Sequence, residues 1–543
     1  MGNQLIKNYD IQKDANGIAG HQSLWKIYKG TNQNLAQKNV SILMIDKKPF
    51  EKVNKQVKED IFVFLRKEAQ SLAKFKHPNV LSLVEPILED NKNMAFIVED
   101  VLNSLAGLLS KNSLNDLFPS ELETKIHLLE LLQALSFFHN DVKMAHLGLS
   151  PENIFLTTKG KWKLGGLIFS TQIISENQVT PNNLDFNFRT SEIKLHPNLN
   201  FSAPEFADAQ LKCSFSSDIF SLGLIIYLFY KAKNDQNCND LSLMNTSNNL
   251  SIFKDKLALL NTSFLQKQSQ VIPNALRPLW MRMLSTDWKN RPSINEIINC
   301  SWFKDPYIQT LSHLELINQK EIAQQQSFLK GLGKIILKFE AKVIKALILP
   351  ILTDNLKVEH LSPIILQILI TIMEKSANVV NKEEFLESMW PSIKLLTTGK
   401  EIPAQCLFLI VSNLESFCDK ITSNDLQASL LPLLIKCYEC GVGKLQELAL
   451  KNTDFLVKNI DFLSVKTKIL PRILKLCLDN SIDIRRYSLL SLNKIYKLFD
   501  KNTQIEQIIG VLEKMKKVGT DSKMNIIILN IYEGLADILG IEV

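Results

Sequence analysis

The chain has 543 residues, 45% of them hydrophobic and 22% charged, which is the make-up of a multidomain globular protein and excludes a fibrous or disordered one. Its 63 basic and 56 acidic residues leave a net charge of +7, which permits contact with an acidic membrane surface but does not argue for nucleic acid. No run of eighteen apolar residues signals a transmembrane helix, and eight scattered cysteines point to a reducing compartment without a disulfide framework.

The N-terminus, Met1-Gly2-Asn3-Gln4-Leu5-Ile6, lacks the apolar core of a signal peptide, and Ile6 stands where a myristoylation motif wants Ser or Thr. Asn16-Gly17-Ile18-Ala19-Gly20-His21 reads as a loop with two glycines. The strand pattern Leu24-Trp25-Lys26-Ile27-Tyr28 follows it, then another at Val40-Ser41-Ile42-Leu43. Glu68-Ala69-Gln70-Ser71-Leu72 reads as helix and leads into His77-Pro78-Asn79-Val80. Further on stand His146-Leu147-Gly148-Leu149-Ser150-Pro151-Glu152-Asn153 and Lys163-Leu164-Gly165-Gly166-Leu167. An Asn- and Ser-rich stretch at 171–200 precedes Ala203-Pro204-Glu205. Asp218-Ile219-Phe220-Ser221-Leu222-Gly223 follows, then a polar insertion at 233–251 and Arg291-Pro292.

In order and spacing, these segments resemble a protein kinase domain over residues 1 to about 305. The catalytic loop of that family is H-R-D-L-x-x-x-N, followed by D-F-G, and the activation segment closes on A-P-E. The resemblance makes His146 a structural residue with no acid–base role. It also implies that Asp218 opens a buried helix and that Glu205 and Arg291 form an ion pair. The chemistry is missing from this frame. Gly148 stands in place of the catalytic Asp, and Gly166, thirteen residues after Asn153, in place of the magnesium-binding Asp. Leu43 replaces the strand Lys, and Lys47 and Lys48 lie four and five residues beyond it. Leu147 replaces the catalytic-loop Arg. Glu68, at the helix Glu position, therefore has no evident Lys partner. Phosphoryl transfer depends on positioned charge and metal. Asn153 without a carboxylate partner is a poor magnesium site, so no metal and no turnover are expected. The expected cofactor is none; the alternative is metal-independent ATP, for which Gly17, Gly20, Lys26, Glu68, Asn153 and Lys163 are the candidate contacts. Both lysines read first as solvated strand residues.

After about residue 310, strand signals stop and helical periodicity takes over. Pro350, Pro391, Pro432 and Pro471 recur in similar phrases, among them Leu-Ile-Leu-Pro-Ile-Leu and Ser-Leu-Leu-Pro-Leu-Leu, at spacings of 41, 41 and 39. Such a period is the HEAT/armadillo signature of stacked helix pairs that cannot bury their apolar faces singly. Cys437 and Cys440 fall on a helix pattern and read as packing plus a free thiol. The expected architecture is therefore an α+β bilobal protein-kinase-like domain at 1–310, followed by an all-α HEAT/armadillo-type solenoid at 311–543.

A degenerate kinase domain joined to such repeats resembles the SCY-like pseudokinases. Leu24-Trp25-Lys26-Ile27-Tyr28-Lys29-Gly30 and Ile45-Asp46-Lys47-Lys48-Pro49-Phe50 are most similar to the coated-vesicle-associated kinase branch. The resemblance implies a catalytically inactive scaffold in clathrin- and adaptor-dependent traffic between trans-Golgi and endosome. Such a scaffold would be cytoplasmic and peripheral to vesicles. Clathrin and adaptor complexes are the implied partners, through the repeat surface, together with an acidic membrane. Members of that branch carry a clathrin-binding tail; none follows Val543 here, which weighs against direct clathrin contact. Two alternatives stand: a weakly active, atypical Ser/Thr kinase that binds ATP, and an adaptor in COPI-type Golgi traffic or tRNA export.

Overall fold

The computed structural model describes residues 8–33, 39–110, 120–173, 196–207, 213–234, 241–375, 380–399 and 402–540. The N-terminal glycine at position 2, most of the 171–200 stretch and part of the 233–251 insertion lie outside the described residues. The chain divides into two units, Met1–Gln309 and Thr310–Val543.

The first unit opens with an antiparallel sheet. Its strands are β1 (Tyr9–Ile11), β2 (Gly17–Ala19), β3 (Trp25–Asn32), β4 (Asn39–Asp46), β5 (Leu83–Glu89) and β6 (Asn93–Glu99). Their order is β1-β3-β4-β6-β5, with β2 also paired to β3. Side chains alternate across the sheet, so Trp25, Ile27 and Leu43 enter the main core while Tyr28, Ile42 and Ile97 pack on the opposite face. Helix α1 (Lys55–Leu72) covers the core face. Asn54 caps it by accepting from the Gln56 N–H, and Ile61, Leu65, Glu68 and Leu72 form its buried stripe.

A linker at Asp100 leads into β7 (Val101–Ser104) and then the helical lobe. There α2 (Glu121–Ser136) begins at a capping box between Ser120 and Glu123. Strand β8 (Met144–Ala145), which pairs with Thr171–Gln172, and the hairpin of β9 (Ile154–Thr157) and β10 (Trp162–Leu164) frame the catalytic-loop segment, with β10-β9-β7 forming one small sheet. Helix α3 (Phe215–Asn234) is long and apolar enough to cross a membrane, but 83% of that apolar window is buried inside the lobe. It is the lobe's central helix.

The second unit is built of helices in two rows. One row comprises α4 (Ile322–Ile335), α5 (Ser362–Lys375), α6 (Ala404–Ser412), α7 (Gly443–Lys451), α8 (Ile482–Ile495) and α9 (Ser522–Leu539). Their starts recur about every 40 residues, and each packs on the next. In the other row, one wide π turn precedes Pro350, Pro432 and Pro471, at Ile344–Ile348, Leu426–Leu430 and Val465–Ile469. Proline lacks an N–H and crowds the carbonyl one turn back, and a wider turn relieves both problems. A π turn at Gln504–Ile509 precedes Gly510, so the register continues where the proline does not. The regular stacking also explains recurrent ties one repeat apart. Asn452 Nδ2 donates to Val411 O at 3.0 Å, and Ser491 Oγ donates to Leu450 O at 2.5 Å.

Candidate functional site

The catalytic-loop segment is held from below by Asp218, which is fully buried near the start of α3. One of its oxygens accepts from the His146 N–H at 2.7 Å and faces His139 Nε2 at 2.9 Å. The other accepts from the Leu147 N–H at 2.7 Å. These bonds hold Leu147 at a left-handed φ of 57°, a conformation costly for a branched side chain. His146 is neutral. Its Nδ1 accepts from the Gly148 N–H at 3.2 Å while Nε2 lies 2.8 Å from Gly165 O, and burial pulls its pKa down. Arg291 Nη2 lies 2.8 Å from Glu205 Oε1 in a buried ion pair. The guanidinium also donates to Ser285 O and Ser216 O and lies over the Phe220 ring. The frame of the lobe is thus assembled around a loop with no carboxylate at position 148.

The two vacated acidic positions are filled by neighbours. Gly166 sits at φ 69°, and a Cβ there would come within 2.1 Å of Asn153 Cγ. The Asn153 amide donates to Gly148 O at 2.7 Å and Ser150 Oγ at 3.3 Å, while its Oδ1 is buried without a hydrogen-bond partner among the described residues. Asn153 thus occupies the space in which a side chain at 166 would begin. At Gly148, a Cβ would meet the Phe169 ring at 3.0 Å. Among the described residues, no cluster of three His, Cys, Asp or Glu side chains is placed to hold a metal ion.

On the strand side of the cleft stand Leu43, Glu68 and the glycine loop. Leu43 is fully buried. Glu68 accepts from Trp25 Nε1–H at 2.9 Å, and burial pushes its pKa up to about 7, with the indole bond opposing the rise. Gly20 has φ 69°, and a Cβ there would strike Trp25 Cδ1 at 2.3 Å. The glycine loop is fastened onto the lower lobe. Gly20 N donates to Glu152 O at 2.9 Å, Ser104 Oγ to Ile18 O at 2.5 Å, and Ile18 N to Asn103 Oδ1 at 3.2 Å. A Cβ on Gly17 would lie 2.1 Å from Asn103 Oδ1, so Asn103 fills the underside of the loop. His21 then packs edge-on against Phe64 of α1 at 5.4 Å and Phe169 at 5.3 Å, and those two rings meet at 5.2 Å. A base reading the linker would need a free N–H and C=O there. The Val101 N–H donates to Ser41 Oγ at 3.0 Å, and its carbonyl accepts from Lys29 Nζ at 2.8 Å.

The residues present therefore do not fit a magnesium–nucleotide complex. The two candidate lysines lie on strands β3 and β10. Lys26 is exposed and shares the outer sheet face with Tyr28. Lys163 pairs with Glu99 at the end of β6 at 2.7 Å. Gly17, Gly20, Glu68 and Asn153 do converge on the cleft, but as parts of its filling. Trp25, Asn103, Phe169 and Ser41 complete that filling, and sequence reasoning missed them. One signal was available: a strand tryptophan paired with a missing strand lysine.

The family model described as "Protein kinase domain" matches residues 26–303, beginning just after the glycine loop. The chain belongs to the protein kinase domain family. Among its relatives are kinase-like SCY1 proteins. It is 29% identical to human SCY1-like protein 2, over 95% of this chain and 55% of that one. It is 25% identical to the protein kinase-like protein SCY1 of Saccharomyces cerevisiae, over 82% of this chain and 59% of that one. It is 24% identical to a Dictyostelium discoideum protein named probable inactive serine/threonine-protein kinase scy1, over 72% of this chain and 42% of that one. The chain thus spans between 42% and 59% of the length of these relatives. They support a pseudokinase or atypical kinase.

Proposed function

We propose that this protein is a catalytically inactive, kinase-like scaffold. The observation that carries this reading is Asn153 lying in the volume that a metal-binding carboxylate at 166 would need, with Phe169 over the position of the missing catalytic base. Both groups that position metal and nucleophile in this fold are absent, and their space is taken. The test is phosphotransfer to a generic protein substrate and to the chain itself with radiolabelled ATP, in magnesium and in manganese. No incorporation above a heat-inactivated control is expected. Incorporation abolished by Asn153→Ala would sink the reading.

The setting we propose is clathrin- and adaptor-dependent vesicle traffic at trans-Golgi and endosome, with the protein cytoplasmic and peripheral to the vesicle. Its support is the similarity of the first strands to the coated-vesicle-associated branch, together with repeats that offer an extended surface for other proteins. Pull-down with the full chain tests it. Adaptor complexes or clathrin are expected; COPI coat or tRNA-export factors in their place would move the protein to a sister branch.

A further inference from the structure

Away from the cleft, the second unit carries an apolar groove of about 840 Å³ that runs across four successive helices, α4 to α7. Ile364, Ile368 and Leu409 line it, and Phe408 stands on it with 45% of its surface exposed. Gly333 lets α4 pack closely on α5, since a Cβ there would press on Ile368 Cγ1 at 3.3 Å. The rim is basic. Lys330 and Lys334 flank one end and Lys444 the other; all three are exposed, and none forms an ion pair with the described residues. Among the described residues, no acidic side chain lines the groove.

These features select one kind of occupant. The lining helices have already spent their backbone groups on themselves, so the groove has no strand edge with which an extended peptide could pair. A ligand lying here must satisfy its own backbone, as a helix does. The apolar floor calls for apolar anchors, and the three lysines call for carboxylates at its ends. Three interhelical steps of about 8–10 Å give a reach of roughly 24–30 Å, which matches a helix of about 16–20 residues.

We propose that this groove docks an acidic amphipathic helix of a partner protein. Its apolar side chains, at helical spacing, sit on Ile364 and Phe408, and its carboxylates meet Lys330, Lys334 and Lys444. The proposal deepens the scaffold reading and rests on it.

The test begins with selection of a phage library of random 16-residue peptides on the full chain. The consensus peptide is then labelled and titrated by fluorescence anisotropy at low and physiological salt. The expected consensus carries Leu or Phe at three- and four-residue spacing and Asp or Glu between. Its affinity is expected to fall at least tenfold in Phe408→Asp and in Lys330→Glu/Lys334→Glu, and to weaken with salt. A peptide with lysines in place of its acids should recover binding to the charge-reversed double variant. Should Phe408→Asp fail to fold, the double variant, whose side chains are solvent-exposed, still decides the matter. No enrichment, a neutral or basic consensus, or affinities untouched by these substitutions would overturn the proposal. Vesicles of phosphatidylserine binding in place of any peptide, and released by the same charge reversal, would overturn it too. None of those results would alter phosphotransfer, which tests the scaffold reading separately.

Discussion

Asn153 and Gly166 are locked together, because each explains the other's conformation. A carboxylate at 166 meets the Asn153 side chain and also a left-handed φ of 69° that favours glycine. Gly166→Asp is therefore expected to destabilise the first unit by roughly 1–3 kcal/mol, seen as a lowered melting temperature. Gly148→Asp combined with it should yield no phosphotransfer, because Leu43 still occupies the lysine position. Glu68 makes a second prediction. Its folded pKa of about 7 lies above its ordinary 4.5, so the native state holds a proton there that the unfolded chain has released. Its contribution to stability is largest at low pH and is lost as pH rises through that window. The loss amounts to about 3 kcal/mol at full separation of the two values. Glu68→Gln keeps an acceptor for Trp25 and is expected to flatten the fall of melting temperature between pH 5 and pH 8; an unchanged slope would assign that fall elsewhere. The missing residues at 43, 148 and 166 were legible in the sequence because they are local substitutions in a recognisable frame. What filled their space was not, because Asn103 under Gly17 and Trp25 beside Glu68 are contacts between residues far apart in the chain.

The elements repeat that contrast. The Glu205–Arg291 tie joins the end of the activation segment to the far end of the lobe, and both side chains are nearly or fully buried. Glu205→Ala is expected to cost about 3–5 kcal/mol, because it leaves a buried guanidinium without its charge partner. Denaturant unfolding that is unaffected would refute the tie. In the second unit, the proline period was readable because each proline marks the same point of a repeat. The continuation of the register to Gly510 was not, since the marker itself is lost there. The π turn before Gly510 shows that repeat packing holds the wide turn without a proline. Pro471→Ala should therefore keep helix content by circular dichroism and change stability by less than about 1 kcal/mol. A loss above about 2 kcal/mol would make proline the cause of the bend.

Across the whole molecule, a first unit that keeps the kinase frame and fills its cleft is joined to a second unit whose repeats present surface. The fold class was legible because it rests on order and period. The side chains packed into the cleft and the basic-rimmed groove are tertiary, and both bear on function more directly than any single motif. The measurement that tests the central claim most directly is thermal melting of the full chain with ATP, alone and with magnesium or manganese. A filled cleft predicts no shift under any condition. A shift that requires the metal would show a nucleotide site that the packing of Asn153, Asn103 and Trp25 forbids, and would contradict the scaffold reading.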